Sequence, residues 1–268
     1  MKRKYTYNDI LEAYRSLGIT KGSIVSLKTD LRWLGPFEHP DPAMILNAHF
    51  DALCELVDLA VGTIVVPTGC TSLCNTDKIF NPDETPSEVG ALTEFIRKQQ
   101  GAVRSFHPFV SYAAIGKDAE AICGDAARHA FGPETPHKRL VDMNALEISI
   151  GLHPMKTCSL VHHIELVMGV PYRYVKEFVH PVLRDGILRR EPFYMYVWYR
   201  DCDIFRDDNK KIFDHFIKSG NKIKQASLGS GNIYSYQLAS FYKSTIQLFK
   251  QDIYAWLERE PTKKPYQK

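Results

Sequence analysis

The segment GTIVVPT, residues 62–68, is a run rich in β-branched residues that is closed by a proline and a threonine. A short apolar run of this kind predicts a strand buried on both faces. It follows a helical pattern, DPAMILNAHFDALCELV over 41–57, with Pro42 in the first turn. The strand-like segment GSIVSLKT, residues 22–29, precedes that helix. This alternation of strand, helix and strand predicts a layered α/β fold.

The alternation continues as far as residue 169. The patterns predict strands over 110–116 and 145–152 and helices over 86–101 (with Ser87 as cap and Gly101 as stop), 117–130 and 159–169. The last third differs: an aromatic strand-prone stretch over 193–205, a helix over 210–220 and a long helix over 234–260. Because no repeat or low-complexity linker interrupts the chain, we expect a single domain over 1–268 with a frayed tail, 261–268.

Composition excludes several classes of protein. The chain has 268 residues, of which 44% are hydrophobic and 24% charged, as in ordinary globular proteins. Its net charge of +3 derives from basic residues at both ends, and no basic stripe predicts nucleic-acid binding. The six cysteines form no CxxC pair, so they indicate neither a zinc site nor a disulfide framework. No apolar run approaches membrane-spanning length, and we expect a cytoplasmic location.

The segment CSLVHHIELVMG, residues 158–169, carries the strongest chemical signal. If it is helical, Ser159, His162 and Glu165 follow one another at i, i+3 and i+6 and form one polar stripe. Three interpretations are open from the residues alone. They are a pair of satisfied core histidines, a metal site that includes His163, and a catalytic base supported by a carboxylate.

Several segments, in this order, resemble the motifs of the aminoglycoside 3-N-acetyltransferase family: VGTIVVPT, FNPDETPSEVGALTEFIR, AVRSFHPFVSYAAIG, FGPETPHKRL and SLVHHIE. The most specific part is TPS, then GAL, then RSxHPxxSxAAxG. The match is strongest over 5–176, and 177–260 is expected to complete the fold and the acceptor side. The resemblance implies a mixed central sheet flanked by helices. It also implies acetyl transfer from acetyl-CoA to the amine of an amino sugar, without a metal.

The resemblance also assigns catalytic roles. An amine is protonated at neutral pH, so its attack on a thioester requires a base. The family motif has a hydroxyl residue three before its histidine and an acid three after it. His162 therefore matches the base, Glu165 the acid that orients it, and Ser159 the hydroxyl. The family usually has an apolar residue where this chain has His163, so which imidazole faces the substrate stays open.

For the remaining site residues, the resemblance implies two groups. The coenzyme A group comprises Thr29, Arg32, Arg104, Ser105, His107 and Ser111. The acceptor group comprises Asp83, Glu84, His163 and Asp203. Alternatives are open here too: Lys28, which does not match the family, and Arg32 could form a solvated basic face, and the His107–Pro108 pair could be a rigid turn without a chemical role.

For the acceptor, the basic residues after position 169 slightly favour an anionic molecule, a nucleotide-linked amino sugar of surface-polysaccharide synthesis. They are Arg173, Lys176, Arg184, Arg189, Arg190 and Arg200. The first alternative is an aminoglycoside, which would make the protein an antibiotic-resistance enzyme. A metal-dependent hydrolase and an inactive binding protein are the further alternatives. We expect no nucleic-acid or membrane partner, and a homodimer is compatible with the sequence.

Overall fold

The computed structural model describes residues 4–267, and a seven-stranded mixed sheet forms its centre. The strands, in chain order, are β1 (Ile24–Thr29), β2 (Thr63–Pro67), β3 (Val103–Arg104), β4 (Tyr112–Gly116), β5 (Leu146–Ile150), β6 (Arg173–Arg184), β7 (Ile187–Trp198), β8 (Lys224–Leu228) and β9 (Gly231–Gln237). The sheet has the order β3-β4-β2-β1-β5-β9-β8. β1 runs parallel to β2 and β5, and the other pairs are antiparallel.

Helices cover both faces of this sheet. They are α1 (Tyr7–Ser16), α2 (Pro42–Val57), α3 (Ala91–Arg97), α4 (Ala119–Cys123), α5 (Pro136–Asp142), α6 (Pro154–Thr157), α7 (Leu160–Met168), α8 (Lys210–Lys218) and α9 (Leu238–Gln251). Side chains of β2 alternate between the two layers: Ile64 and Val66 pack with α1, α2 and α3, whereas Val65 packs with α4, α5, α7, α8 and α9. The run GTIVVPT is therefore buried on both faces, and the predicted α/β fold with a mixed, helix-flanked sheet is confirmed.

β6 and β7 form a separate hairpin of two twelve-residue strands. Their turn is Asp185–Gly186, and both residues have positive φ, 52° and 71°. Two such residues match the twist of the strands they connect, which explains the Asp-Gly pair. At the opposite end of the hairpin, Arg173 pairs with Trp198. That end reaches the cavity described below.

Helix α7 is placed by its two ends. It starts directly after Ser159 and ends at Gly169, whose φ of 62° is left-handed and whose amide bonds back to the carbonyl oxygens of Glu165 and Leu166. Glycine adopts this conformation without the strain that a side chain would add. The helix packs its apolar side against α9 and α5, so its other side is left to face the cavity.

Some predicted boundaries were wrong. The helix predicted over 86–101 begins only at Ala91, because Ser87 lies in the preceding loop, where its amide donates to Glu94. Only Ala119–Cys123 of the predicted 117–130 helix is helical. The stretch 234–260 begins as β9, since pairing with β5 and β8 outweighs its helical periodicity, and α9 follows.

None of the helices within residues 4–267 combines the length and the apolar character that crossing a bilayer requires.

Candidate active site

A cavity of about 730 Å³ opens between the central sheet and the base of the hairpin. It lies at the carboxyl ends of the parallel strands β1 and β2, where open α/β sheets commonly bind ligands. Its polar or charged side chains are Lys28, Thr29, Thr71, Glu88, Ser111, Tyr112, His137, Thr157, Ser159, His162 and Arg173, and its walls are otherwise largely apolar and aromatic. A large concave site with a few convergent polar groups is the arrangement expected of a small-molecule site.

His162 is the candidate base in this cavity. Its side chain is 30% exposed, and its Nδ1 lies 3.3 Å from Oε2 of Glu165. The rings of Phe131 and Trp256 flank the imidazole, with centroid distances of 5.4 and 5.0 Å. Because Nδ1 is engaged with the protein, Nε2 is the ring nitrogen available to a ligand.

Glu165 lies beneath His162 and is completely buried. A second partner, Arg173, places its Nε 2.9 Å from the same carboxylate oxygen. Arg173 is itself fixed: Nη1 donates to the carbonyl oxygen of Tyr196 at 2.9 Å, and its guanidinium lies 4.8 Å from the ring centre of Trp198. A buried carboxylate is stable only when paired and hydrogen-bonded, and Arg173 supplies that pairing.

Glu165 and Arg173 act in opposite directions on His162. Burial lowers the pKa of His162, Glu165 raises it, and Arg173 lowers it, with a net decrease from the ordinary value. The imidazole is therefore neutral at pH 7. Nδ1 also lies 3.2 Å from Nη2 of Arg173, which can only donate. The tautomer that a base requires is the one in which Nδ1 carries the proton and donates it to Glu165 in place of accepting from Arg173, because this leaves the Nε2 lone pair free.

The predicted stripe needs one correction, which helix geometry explains. Each i+3 step falls about 60° short of a full turn, so Glu165 is displaced about 120° from Ser159. Ser159 and His162 line the cavity, whereas Glu165 turns into the core and meets His162 from behind. His162 and Glu165 are in contact, but the three residues do not share one exposed face.

His163 has a different environment from its neighbour. It is completely buried and does not line the cavity. Its Nδ1 accepts a hydrogen bond from the Gly132 amide at 3.1 Å, and its ring lies 5.7 Å from that of Tyr242. Burial lowers the pKa of His163 to about 4. The assignment of His163 to the acceptor is thus at odds with its position, because helix rotation carries it into the core.

The six residues predicted to hold coenzyme A divide into two groups. Thr29 and Ser111 line the cavity. Ser105 and His107 are buried and accept backbone amide hydrogen bonds, Ser105 from Tyr112 and His107 from Phe109 and Val110. This geometry agrees with a rigid turn at His107.

The two arginines of that group are both engaged with the protein. Arg104 donates to carbonyl oxygens of three residues that precede it, at positions 68, 82 and 85, so its guanidinium joins loops and is not directed at a ligand. Arg32 is exposed and pairs with Asp30 at 2.7 Å. Lys28, which the basic-face alternative placed in solvent, is buried in the cavity wall instead.

The predicted acceptor carboxylates lie outside the cavity. Asp83 and Glu84 are exposed in the loop before α3. Asp203 accepts hydrogen bonds from the side chain of Thr262 and the amide of Lys263, so it holds part of the predicted frayed tail against the body. Residue 268 of that tail lies outside the described residues. Glu88 is the carboxylate that does line the cavity in the described part of the chain.

Sequence reasoning missed a buried polar cluster at the base of the cavity. The hydroxyl of Tyr112 lies 3.1 Å from Nζ of Lys28, 3.0 Å from Nε2 of His137 and 3.1 Å from Oγ of Ser159. Glu147 lies 3.8 Å from Lys28. These residues come from five separate segments of the chain, and no local spacing connects them.

The arrangement of His, Cys, Asp and Glu side chains within residues 4–267 does not indicate a metal site. Within residues 4–267, no three or more His, Cys, Asp or Glu side chains are grouped so that they could hold a metal ion. His162 and His163 point to different surroundings, and Glu165 is occupied by Arg173.

Comparison with known proteins agrees with the sequence resemblance. A family model described as aminoglycoside 3-N-acetyltransferase matches residues 27–250. Aminoglycoside N(3)-acetyltransferase VII of Streptomyces paromomycinus is 32% identical over 134 residues, which are 50% of this chain but only 43% of that protein. Aminoglycoside N(3)-acetyltransferase III of Pseudomonas aeruginosa is 27% identical over 195 residues, covering 68% of this chain and 71% of that protein.

A solved structure supports the same fold. The binary complex of AAC-IIIb with CoASH superposes with a TM-score of 0.78 at 19% identity, covering 93% of this chain and 98% of that one. Since the family model spans well over half of the chain, this protein belongs to the aminoglycoside 3-N-acetyltransferase family.

Proposed function

We propose that this protein transfers the acetyl group of acetyl-CoA to an amino group of an aminoglycoside. One observation carries the proposal: His162 lies in the wall of the cavity with Nδ1 directed at a buried carboxylate and Nε2 available to a ligand. Family membership supplies the reaction class, and the names of the relatives supply the acceptor.

In the proposed reaction, the acceptor ammonium ion first releases one proton to solvent, and Nε2 of His162 removes a second proton from the nitrogen as the neutral amine attacks. The amine nitrogen thereby bonds to the thioester carbonyl carbon, and the carbon–sulfur bond breaks with its electron pair on sulfur. The coenzyme A sulfur takes up the proton that His162 accepted, so the products are an N-acetyl amine and free thiol. Glu165 stabilises the imidazolium formed in between, as expected of a base with a supporting carboxylate.

The cavity also suits the acyl donor. Its apolar and aromatic walls fit the pantetheine arm of acetyl-CoA, and Thr29 offers a hydroxyl group within it. The Ser111 hydroxyl is engaged with the protein, since it donates to the carbonyl oxygen of Thr68 at 2.9 Å and accepts from Nε of Arg104 at 3.1 Å. The related AAC-IIIb was solved with CoASH. We assign Thr29 to the donor, whereas a contact of Ser111 with coenzyme A and a contact of Arg32 with a phosphate outside the cavity stay predictions.

Charge in the cavity supports the aminoglycoside over the anionic acceptor. Of the six basic residues that suggested a nucleotide-linked amino sugar, only Arg173 lines the cavity, and Glu165 balances its charge. Lys28 is likewise balanced by Glu147. Glu88, the carboxylate that lines the wall among the described residues, accepts hydrogen bonds from the amide and hydroxyl of Ser72 and is placed to attract a second amino group of a polycationic acceptor.

The test is release of free thiol from acetyl-CoA in the presence of two panels of acceptors, aminoglycosides and nucleotide-linked amino sugars. We expect turnover with the first panel and not with the second. Glu88→Gln should raise KM for aminoglycosides with little change in KM for acetyl-CoA, and Asp83→Asn, outside the cavity, is the matched control. Turnover with the second panel alone would contradict the acceptor, and none with either panel would contradict the activity.

The cytoplasmic location and the homodimer stay predictions. Sedimentation of the full chain, with and without acetyl-CoA, would decide the second of these.

A further inference from the structure

We propose that Lys28, Tyr112 and Ser159 form a charged donor site for the carbonyl oxygen of the thioester while that oxygen carries negative charge. This inference rests on the proposed acetyl transfer and adds a second group of residues to it. The role of His162 accounts for the proton of the amine. It leaves unexplained why Lys28, Tyr112 and His137 are buried together in the wall of the same cavity.

The direction of the hydrogen bonds follows from the donors available. Lys28 has donors and no acceptor, so its Nζ donates to the Tyr112 hydroxyl oxygen, 3.1 Å away. His137 is neutral because burial, followed by the charge of Lys28, holds its pKa well below the usual range. Its Nδ1 is buried without a hydrogen-bond partner.

A buried N–H without an acceptor is rarer and more costly than an unused lone pair, so the proton of His137 belongs on Nε2. Nε2 then donates to the Tyr112 oxygen, 3.0 Å away. With two hydrogen bonds accepted, Tyr112 has its own proton left for Oγ of Ser159 at 3.1 Å. The proton of Ser159 is thereby free to point into the cavity.

The positive charge of Lys28, from which this series of hydrogen bonds starts, is maintained by its surroundings. Burial alone would lower the pKa of Lys28, but Glu147 and Tyr112 outweigh burial and raise it. The lysine therefore stays an ammonium ion in a site 7% exposed to solvent. Helix α7 begins directly after Ser159, so the partial positive charge of its first turn adds to the same field.

Negative charge develops at one place in the reaction other than sulfur. When the amine nitrogen bonds to the carbonyl carbon, the π electron pair moves onto oxygen, and it returns when the carbon–sulfur bond breaks. Oriented donors in a site that excludes water stabilise such an oxyanion strongly, because they require no reorganisation as the charge forms. Ser159 would donate directly, and Lys28 and Tyr112 would polarise it.

Tyr112→Phe is the sharpest test, because it removes one oxygen atom and keeps the buried ring. We expect kcat to fall on the order of 10-fold, below the roughly 10²-fold to 10³-fold that loss of a direct oxyanion donor causes, because Tyr112 acts through Ser159. KM for acetyl-CoA should stay nearly unchanged. Binding of free coenzyme A, which has no carbonyl oxygen at the reacting position, should also be unchanged by calorimetry. Lys28→Met should lower kcat in the same way.

The matched control is Tyr236→Phe. Tyr236 is buried in the same core, and its hydroxyl contacts Cys158 but does not line the cavity. This variant should keep the kcat of the unsubstituted protein. The donor site would be refuted if Tyr112→Phe retained full kcat, or if it weakened coenzyme A binding as much as it lowered kcat. Absence of turnover in the unsubstituted protein would instead contradict the proposed function, and the donor site with it.

Discussion

The two sides of helix α7 place two adjacent histidines in different environments. His162 and His163 are adjacent and chemically identical, yet one lies in the wall of a cavity and the other has no exposed surface. His162 is paired with a carboxylate, which supports a positive charge on its ring. His163 accepts a backbone N–H, which a protonated ring could not do.

The difference arises from rotation, since consecutive helical residues are about 100° apart. It shows that a histidine's chemistry depends on the group at its second nitrogen and on solvent access. A carboxylate at Nδ1 prepares Nε2 of His162 to accept a proton, whereas an amide at Nδ1 fixes His163 in its neutral form. The predictions below test this contrast, beginning with the largest effect.

The largest difference is expected between His162→Ala and His163→Ala. The first removes the base, and we expect kcat to fall on the order of 10²-fold to 10⁴-fold while coenzyme A still binds. The second should lower kcat much less, because His163 contacts no ligand in the cavity. Thiol release and coenzyme A titration measure the two effects. Equal losses of kcat at both positions would show that the base is assigned wrongly.

A smaller effect is expected for Glu165→Gln. The carboxylate raises the pKa of His162 against burial and Arg173, so its loss should lower that pKa further. The acid limb of the plot of kcat/KM against pH should then move to lower pH. The plateau should fall on the order of 10²-fold, the lower end for a base, because the imidazolium loses its partner.

The matched control for this variant is Glu191→Gln. Glu191 is a nearly buried carboxylate that pairs with Arg128 outside the cavity, so it reproduces the loss of a buried ion pair. In this variant, the acid limb of the plot of kcat/KM against pH should lie at the same pH as in the unsubstituted protein. If the acid limb of the Glu165→Gln variant moved to higher pH, this carboxylate would not support the charge of His162.

The sequence predicted the parts of the fold that short periodicities determine. The strands β1 and β2 and the helix α2 lie within two residues of their predicted bounds, because each has a clear pattern and nearby turn residues. The stretch 234–260 was predicted poorly, since β9 exists through its pairing with β5 and β8 and not through its own periodicity.

The site divides in the same way. Ser159, His162 and Glu165 are close in sequence, so helical spacing and the family motif were sufficient to propose them. The contact of Lys28 with Tyr112 spans 84 residues, and the other members of the cluster come from α5, β5 and the start of α7. Arg173 was counted among the cations that favoured an anionic acceptor, because its carboxylate partner is visible only once β6 meets α7.

The smallest effect concerns the stability that His163 confers. The folded protein holds its pKa at about 4, whereas an unfolded chain has a value near 6.5. Below pH 6.5 the unfolded state therefore binds more protons, and the free energy of unfolding decreases toward pH 4, by at most ~1.4 kcal/mol per pH unit from this group.

Neither His163→Asn nor His163→Leu titrates there, so both should flatten this dependence in urea unfolding. Only His163→Leu leaves the Gly132 amide without an acceptor, and at pH 7 it should be the less stable by about 1–3 kcal/mol. Equal stabilities of the two variants at pH 7 would mean that the hydrogen bond to Gly132 contributes nothing, and an unchanged pH dependence would place the titrating group elsewhere.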